Sequence, residues 1–118
     1  MNNYYLHSII LDNCPFSSAA NDLLNNYFKN KLSNFKFTFV NNQNKENYKT
    51  NDINTFPQIY LKRKNKNGSL LLGGYDDLKE FFDTFYKTKY NDKSINQFIN
   101  KKKWSKKSTL RLIQLINS

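Results

Sequence analysis

From Tyr4 to Leu11 the chain is dense in aromatic, aliphatic and β-branched side chains, the composition of a β-strand. After the polar pair Asp12-Asn13 the period changes. Phe16, Ala19, Ala20, Leu23, Leu24, Tyr27 and Phe28 recur at i, i+3, i+4 and i+7, which predicts a helix with one buried face. Pro15 suits the first helical position, because its fixed φ fits and its missing N–H has no intrahelical partner to lose. Cys14 then falls at the N-cap. Strict alternation returns at Phe35, Phe37 and Phe39, separated by Lys36 and Thr38, and predicts a strand with one buried face. Strand, helix and strand in this order predict two parallel strands joined by a right-handed crossover.

The segment from Asn41 to Asn54 is polar and weakly patterned, so it is expected to be a loop with at most a short helix. Pro57 opens a second apolar run, Gln58-Ile59-Tyr60-Leu61-Lys62, and Asn65-Lys66-Asn67-Gly68 supplies a turn before Ser69-Leu70-Leu71-Leu72, which together predict a β-hairpin. Gly73-Gly74 ends that hairpin. A helix follows with Leu78, Phe81, Phe82 and Phe85 on one face and with Asp76 and Asp77 at its N-terminal end, where the helix dipole favours carboxylates. The predicted core order is βαβ, a variable connection, then ββα. Beyond Tyr90, Ser94–Ile99 and Ser108–Ile116 carry apolar residues at helical spacing and predict one or two terminal helices packing on the core, with Trp104 as an anchor and the lysine run around it as a solvated connection.

A length of 118 residues suits one ordinary domain. The single cysteine excludes an internal disulfide, and no apolar run approaches the ~20 residues needed to span a bilayer. The N-terminus, opening on Asn2 and Asn3, does not read as a secretory signal. The expectation is a soluble, cytoplasmic protein of a reducing compartment. The formal charge of +10 raises the question of a nucleic-acid partner. Nearly all of that charge is lysine, with arginine only at Arg63 and Arg111, and lysine is matched by abundant asparagine, the pairing an AT-rich coding sequence produces. Arginine is the preferred reader of phosphate and base edges, so no specific nucleic-acid role is expected. The basic, partly apolar tail has a separate reading as a docking segment for a partner or an anionic membrane surface.

Cys14 carries the candidate chemistry. At a helix N-terminus, unpaired backbone N–H groups and the positive end of the dipole favour the thiolate, the nucleophilic form in thiol–disulfide exchange. A free cysteine is also commonly a small buried hydrophobe, and position alone leaves both readings open. His7, the only histidine, lies in the first strand with no acid or nucleophile motif beside it and is assigned no catalytic role.

Three separated segments resemble the glutaredoxins of the thioredoxin-like superfamily. Cys14-Pro15-Phe16-Ser17 looks like the C-P-[YF]-[CS] active site, Thr55-Phe56-Pro57-Gln58-Ile59-Tyr60 like the T-V-P-Q-[IV]-F segment, and Gly73-Gly74-Tyr75-Asp76-Asp77-Leu78 like the G-G-x-[DS]-D-L segment. Their order and spacing also fit, over about residues 4 to 90. The resemblance implies an α/β, thioredoxin-like (glutaredoxin) fold: a central four-stranded mixed β-sheet flanked by helices, with a glutaredoxin domain at 1–90 and a basic helical C-terminal extension at 91–118. It implies an enzyme, with Cys14 as the catalytic thiolate that takes glutathione from a mixed disulfide before a second glutathione resolves the intermediate. Glutathione is then the co-substrate, glutathionylated or disulfide molecules are the partners, and the chain is a monomer.

The same resemblance implies glutathione-binding roles for Phe16, Thr55, Phe56, Pro57, Gly74, Asp76 and Asp77. Pro57 becomes a cis-proline facing Cys14, and Phe56 offers its N–H and C=O to the cysteinyl unit; in isolation Pro57 also reads as a proline opening an edge strand. Gly73 and Gly74 permit close backbone approach. The Asp76 N–H holds the γ-glutamyl carboxylate and the Asp77 side chain meets its ammonium, beside a plain helix-capping reading for both.

The chain departs from the family pattern at two positions. Ser17 replaces the resolving cysteine, so the mechanism is monothiol and glutathione must resolve the intermediate. Leu11 stands where the family commonly has a lysine that lowers the thiol pKa and binds a glutathione carboxylate, so a less acidic thiol is expected, with Lys49 in the variable connection as a substitute carboxylate ligand. Two alternatives remain. One is a [2Fe–2S] cluster held between two subunits by Cys14 and glutathione, although Pro15 and the short segment before Cys14 depart from the C-G-F-S form with its extra loop. The other is a low-activity binding module that keeps the fold.

Overall fold

The computed structural model describes residues 3–28, 35–102 and 104–117. Among the described residues four strands and four α-helices follow in the order β1 (Tyr4–Leu11), α1 (Pro15–Phe28), β2 (Phe35–Val40), a short 3-10 helix (Lys45–Tyr48), β3 (Gln58–Arg63), β4 (Ser69–Gly73), α2 (Tyr75–Phe85), α3 (Asp92–Lys102) and α4 (Lys106–Asn117). The chain is thus an α/β protein with one mixed sheet of order β2-β1-β3-β4. β1 runs parallel to β2 and antiparallel to β3, and β4 returns antiparallel beside β3. β1, which leads to Cys14, is therefore a central strand with its backbone groups paired on both sides, a rigid support for whatever follows it.

The pleat sorts the two faces of the sheet. Leu6 and Ser8 of β1 lie in register with Leu61 and Ile59 of β3, and Leu6, Ile10, Ile59, Leu61 and Leu72 join the helices in one apolar cluster. α1 contributes Ala20 and Leu24 to it, and α2 contributes Leu78, Phe81, Phe82 and Phe85. The opposite parity places His7, Tyr60 and Lys62 on the reverse face, where His7 Nε2 meets Thr38 Oγ1 at 2.7 Å.

The C-terminal segment belongs to that same cluster. Ile95 and Phe98 of α3 and Leu112, Ile113, Leu115 and Ile116 of α4 are all buried within it. Trp104, between the two helices, is 7 % exposed, with its ring centroid 5.8 Å from Phe81 and 5.2 Å from Phe98. The lysine run expected to be a solvated connection is instead the last turn of α3 (Lys101, Lys102) and the first turn of α4 (Lys106, Lys107), with Lys103 outside the described residues.

Two aromatic positions depart from the periodicity reading. Phe16, counted in the buried face of α1, is 59 % exposed, because that face is centred on Ser17, Ala20 and Leu24, all buried, and Phe16 lies to one side of it. Phe39, counted in the buried face of β2, is also 59 % exposed. β2 is an edge strand, and its aromatic face is covered only toward the Phe35 and Phe37 end, where both rings pack against the core. The side chain of Phe28 lies outside the described residues.

Candidate functional site

Cys14 sits at the junction of β1 and α1. Asn13 adopts φ of 61°, a left-handed conformation that asparagine tolerates better than most residues, and this turns the strand into the helix within three residues. The Cys14 carbonyl accepts the first helical hydrogen bond from the Ser18 N–H at 2.9 Å, which makes Cys14 the N-cap, with Pro15 first in the helix. Its thiol is partly exposed.

Ser17 is fully buried, and its hydroxyl accepts the Leu11 N–H at 3.1 Å, tying the end of β1 to the first turn of α1. The same hydroxyl and the N–H groups of Ser17 and Phe16 point toward the Cys14 sulfur. Burial raises the thiol pKa, but the Ser17 hydroxyl and the Ser17 and Phe16 amides together outweigh it and hold the thiol below its ordinary value. The side chain of Leu11 carries no charge toward this site, so the thiolate is favoured by hydrogen bonds and helix-terminal amides alone.

The other two segments meet Cys14 from across the sheet. The Phe56–Pro57 bond is cis, and Cys14 Sγ lies 3.8 Å from the Phe56 carbonyl oxygen. Pro57 is buried and Thr55 exposed. A Cβ built on Gly74 would stand 3.6 Å from the Pro57 carbonyl oxygen, so the start of α2 lies against the cis-proline turn. The rings of Phe16 and Tyr75 approach to 6.4 Å between centroids. Three distant stretches thus meet at the start of α1: the second reaches the thiol through the Phe56 carbonyl, and the third touches Pro57 through Gly74 and Phe16 through Tyr75.

Gly73 has φ of +128°, and a Cβ there would collide with the Asp77 carboxylate, so glycine is required. Asp77 Oδ2 accepts the Gly74 N–H at 3.1 Å and caps α2. Its other oxygen is also engaged. Lys102, at the end of α3, places Nζ 2.6 Å from Asp77 Oδ1 and 2.7 Å from Glu80 Oε2, with its side chain only 13 % exposed. Lys101 adds a second contact to Glu80 at 2.6 Å. Asp76 is exposed at the first turn of the same helix.

Lys49 lies at the end of the 3-10 helix and pairs with Glu46 at 2.9 Å. That helix is fastened to the sheet by Gln58, whose Nε2 donates to the Tyr48 carbonyl at 3.0 Å. Lys102 was invisible to motif reasoning, since it lies in a lysine-rich stretch and reaches Asp77 only because α3 folds back along α2. Among the described residues no three His, Cys, Asp or Glu side chains are grouped as a metal site. No helix among them is long and apolar enough to cross a membrane.

What the fold and site define is an α/β protein with a single thiol at a helix N-terminus, facing a cis-proline turn. No family model, curated protein or solved structure matches the chain.

Proposed function

We propose that this protein has a thioredoxin-like fold and acts as a glutathione-dependent thiol–disulfide oxidoreductase, a glutaredoxin-type enzyme working by a monothiol mechanism. The observation that carries the reading is the approach of Cys14 Sγ to the Phe56 carbonyl at 3.8 Å, with the thiol pKa lowered. The strand order β2-β1-β3-β4, with one parallel and two antiparallel pairings, supports it. So does the resemblance of the three segments that surround the thiol.

Cys14, as thiolate, attacks the glutathione sulfur of a mixed disulfide R–S–SG. A bond forms between Cys14 Sγ and that sulfur, the S–S bond of R–S–SG breaks, and R–S⁻ leaves to take a proton. A second glutathione thiolate then attacks the same sulfur, releasing Cys14 as thiolate and oxidised glutathione. The sum is R–S–SG plus GSH giving R–SH plus GSSG. With Ser17 in place of a second cysteine, no intramolecular disulfide competes with this route.

In this reading the backbone of Phe56 pairs with the cysteinyl unit, Phe16 and Tyr75 flank it, and the first-turn amides of α2 receive the γ-glutamyl carboxylate. Asp77 receives the γ-glutamyl ammonium, and Lys102 already holds that carboxylate, so the ligand ammonium must share it or displace the lysine.

The test is a turnover assay with a glutathionylated peptide and glutathione, together with an absorption spectrum after anaerobic reconstitution with iron and sulfide. Glutathione-dependent turnover that vanishes in Cys14→Ser supports the proposal. Absent turnover, or a stable glutathione-dependent visible chromophore in its place, overturns it, the chromophore in favour of a cluster-binding role.

A further inference from the structure

The chain has only two arginines, and tertiary structure brings both to one cleft far from the thiol. The cleft lies where β1 begins, β3 ends and β4 begins, against the first turns of α4. It comprises two adjoining chambers of about 490 and 320 Å³ that share Tyr4, Arg63, Lys107 and Arg111, and Lys66 lines the larger. Roughly 25 Å of strand separates it from the site, since β1 starts at Tyr4 and reaches Cys14 just after Leu11, at about 3.3 Å per residue.

Among the described residues no aspartate or glutamate lines either chamber. The ion pairs among the described residues involve Lys49, Lys79, Lys101, Lys102 and Lys106, and none uses Arg63, Lys66, Lys107 or Arg111. Glu46, Asp77, Glu80, Asp83 and Asp92 are committed to those pairs elsewhere. Four cations therefore face one concavity without a counter-charge, an arrangement that repels itself and focuses positive potential into the cleft.

The two guanidinium groups are held from different elements. Arg63, at the end of β3, donates from Nη2 to the Asn67 carbonyl at 3.4 Å, which uses one of its donors. Arg111, on α4, lies with its guanidinium carbon 5.8 Å from the centre of the Tyr4 ring. A planar fork offers paired N–H donors that match the oxygens of a phosphate group, whereas lysine acts as a point charge. Two forks on separate walls match two phosphate groups, and the volumes fall in the range of small-molecule sites. The cations converge on a pocket instead of forming a stripe along which a nucleic-acid backbone could run.

We propose that this cleft binds a short phosphate chain, free or carried by a nucleotide, with Arg63 and Arg111 each gripping one phosphate and Lys66 and Lys107 neutralising the remainder. The site is independent of the thiol chemistry. Isothermal titration of the full chain at low salt with tripolyphosphate, and separately with ATP, tests it. One saturable site is expected, weakening as salt rises, with Arg63→Ala and Arg111→Ala each costing tenfold or more in Kd. Lys87→Ala with Lys89→Ala, in another exposed basic patch, leaves Kd unchanged, and the Cys14 alkylation rate stays constant throughout.

Equal affinity for the two ligands assigns recognition to the phosphate chain; tighter ATP binding assigns it to a nucleotide. Should an alanine variant fail to fold, Arg63→Lys and Arg111→Lys, which keep the charge and lose the fork, must still weaken binding several-fold. The proposal is overturned by absence of saturation at millimolar ligand, by wild-type affinity in the arginine variants, or by an equal loss in the Lys87/Lys89 variant. It is also overturned if a single-stranded oligonucleotide binds through the same arginines far more tightly than tripolyphosphate.

Discussion

Ser17 does two jobs with one hydroxyl: it closes the β1–α1 junction through the Leu11 N–H and helps stabilise the Cys14 thiolate. Ser17→Ala should therefore raise the thiol pKa and reduce the thiolate fraction at neutral pH, read as an upward shift in the pH profile of iodoacetamide alkylation. It should also cost about 1–2 kcal/mol in urea denaturation, because the Leu11 N–H is left without its acceptor. An unmoved alkylation profile excludes the hydroxyl as a thiolate partner. His7 offers a second test at this scale. Burial, then the charges of Lys62 and Lys36, lower its pKa from 6.5 to about 4, so the folded protein keeps it neutral. Between those values the unfolded chain binds a proton that the folded chain refuses, and stability must fall as pH drops from 6.5 toward 4. With the ring only partly buried, the effect should be on the order of 1 kcal/mol after allowance for solvent screening. His7→Gln should flatten stability between pH 7 and 5; an unchanged slope removes His7 as the cause.

At the scale of elements, α3 acts on the site from outside the segments that resemble a known family. Lys102 bridges Asp77 and Glu80 of α2 while Lys101 braces Glu80, so the end of α3 neutralises the carboxylate that the proposed ligand ammonium needs. Lys102→Gln should lower the KM for glutathione several-fold with kcat little changed, since the reacting sulfurs are not touched. A KM equal to that of the wild type removes Lys102 from the ligand site. α1 shows how an element's position decides the use of its residues. Its periodicity correctly marks Ala20 and Leu24 for the core, but the first turn buries Ser17, and Phe16 is left exposed and facing Tyr75. Period locates a face of a helix to within a residue or so; the contacts at the helix start decide which first-turn side chain is buried.

For the whole molecule, the C-terminal helices complete the core. Deleting residues 92–118 removes Ile95, Phe98, Trp104, Leu112, Ile113, Leu115 and Ile116 and uncovers Phe81 and Phe85. The shortened chain should lose its cooperative thermal transition and bind a hydrophobic dye. Trp104→Ala alone should cost about 3–5 kcal/mol. A cooperative transition in the deletion variant at the wild-type midpoint disproves this account of the core.

Strand and helix identities were legible in the sequence, because period, Pro15, Pro57 and Gly73-Gly74 are local signals that tertiary contacts here reinforce. Cys14 at a helix N-terminus was legible for the same reason. Its approach to the Phe56 carbonyl, the commitment of Asp77 to Lys102, the burial of Trp104 amid lysines and the meeting of Arg63 with Arg111 were not. Each depends on which distant segments the sheet order and helix packing bring together. The sequence by itself determined where a lone thiol would stand and in what local frame; only the tertiary structure decided which carbonyl faces it and which lysine claims the Asp77 carboxylate, because through-space contacts are set by packing and leave no period in the chain.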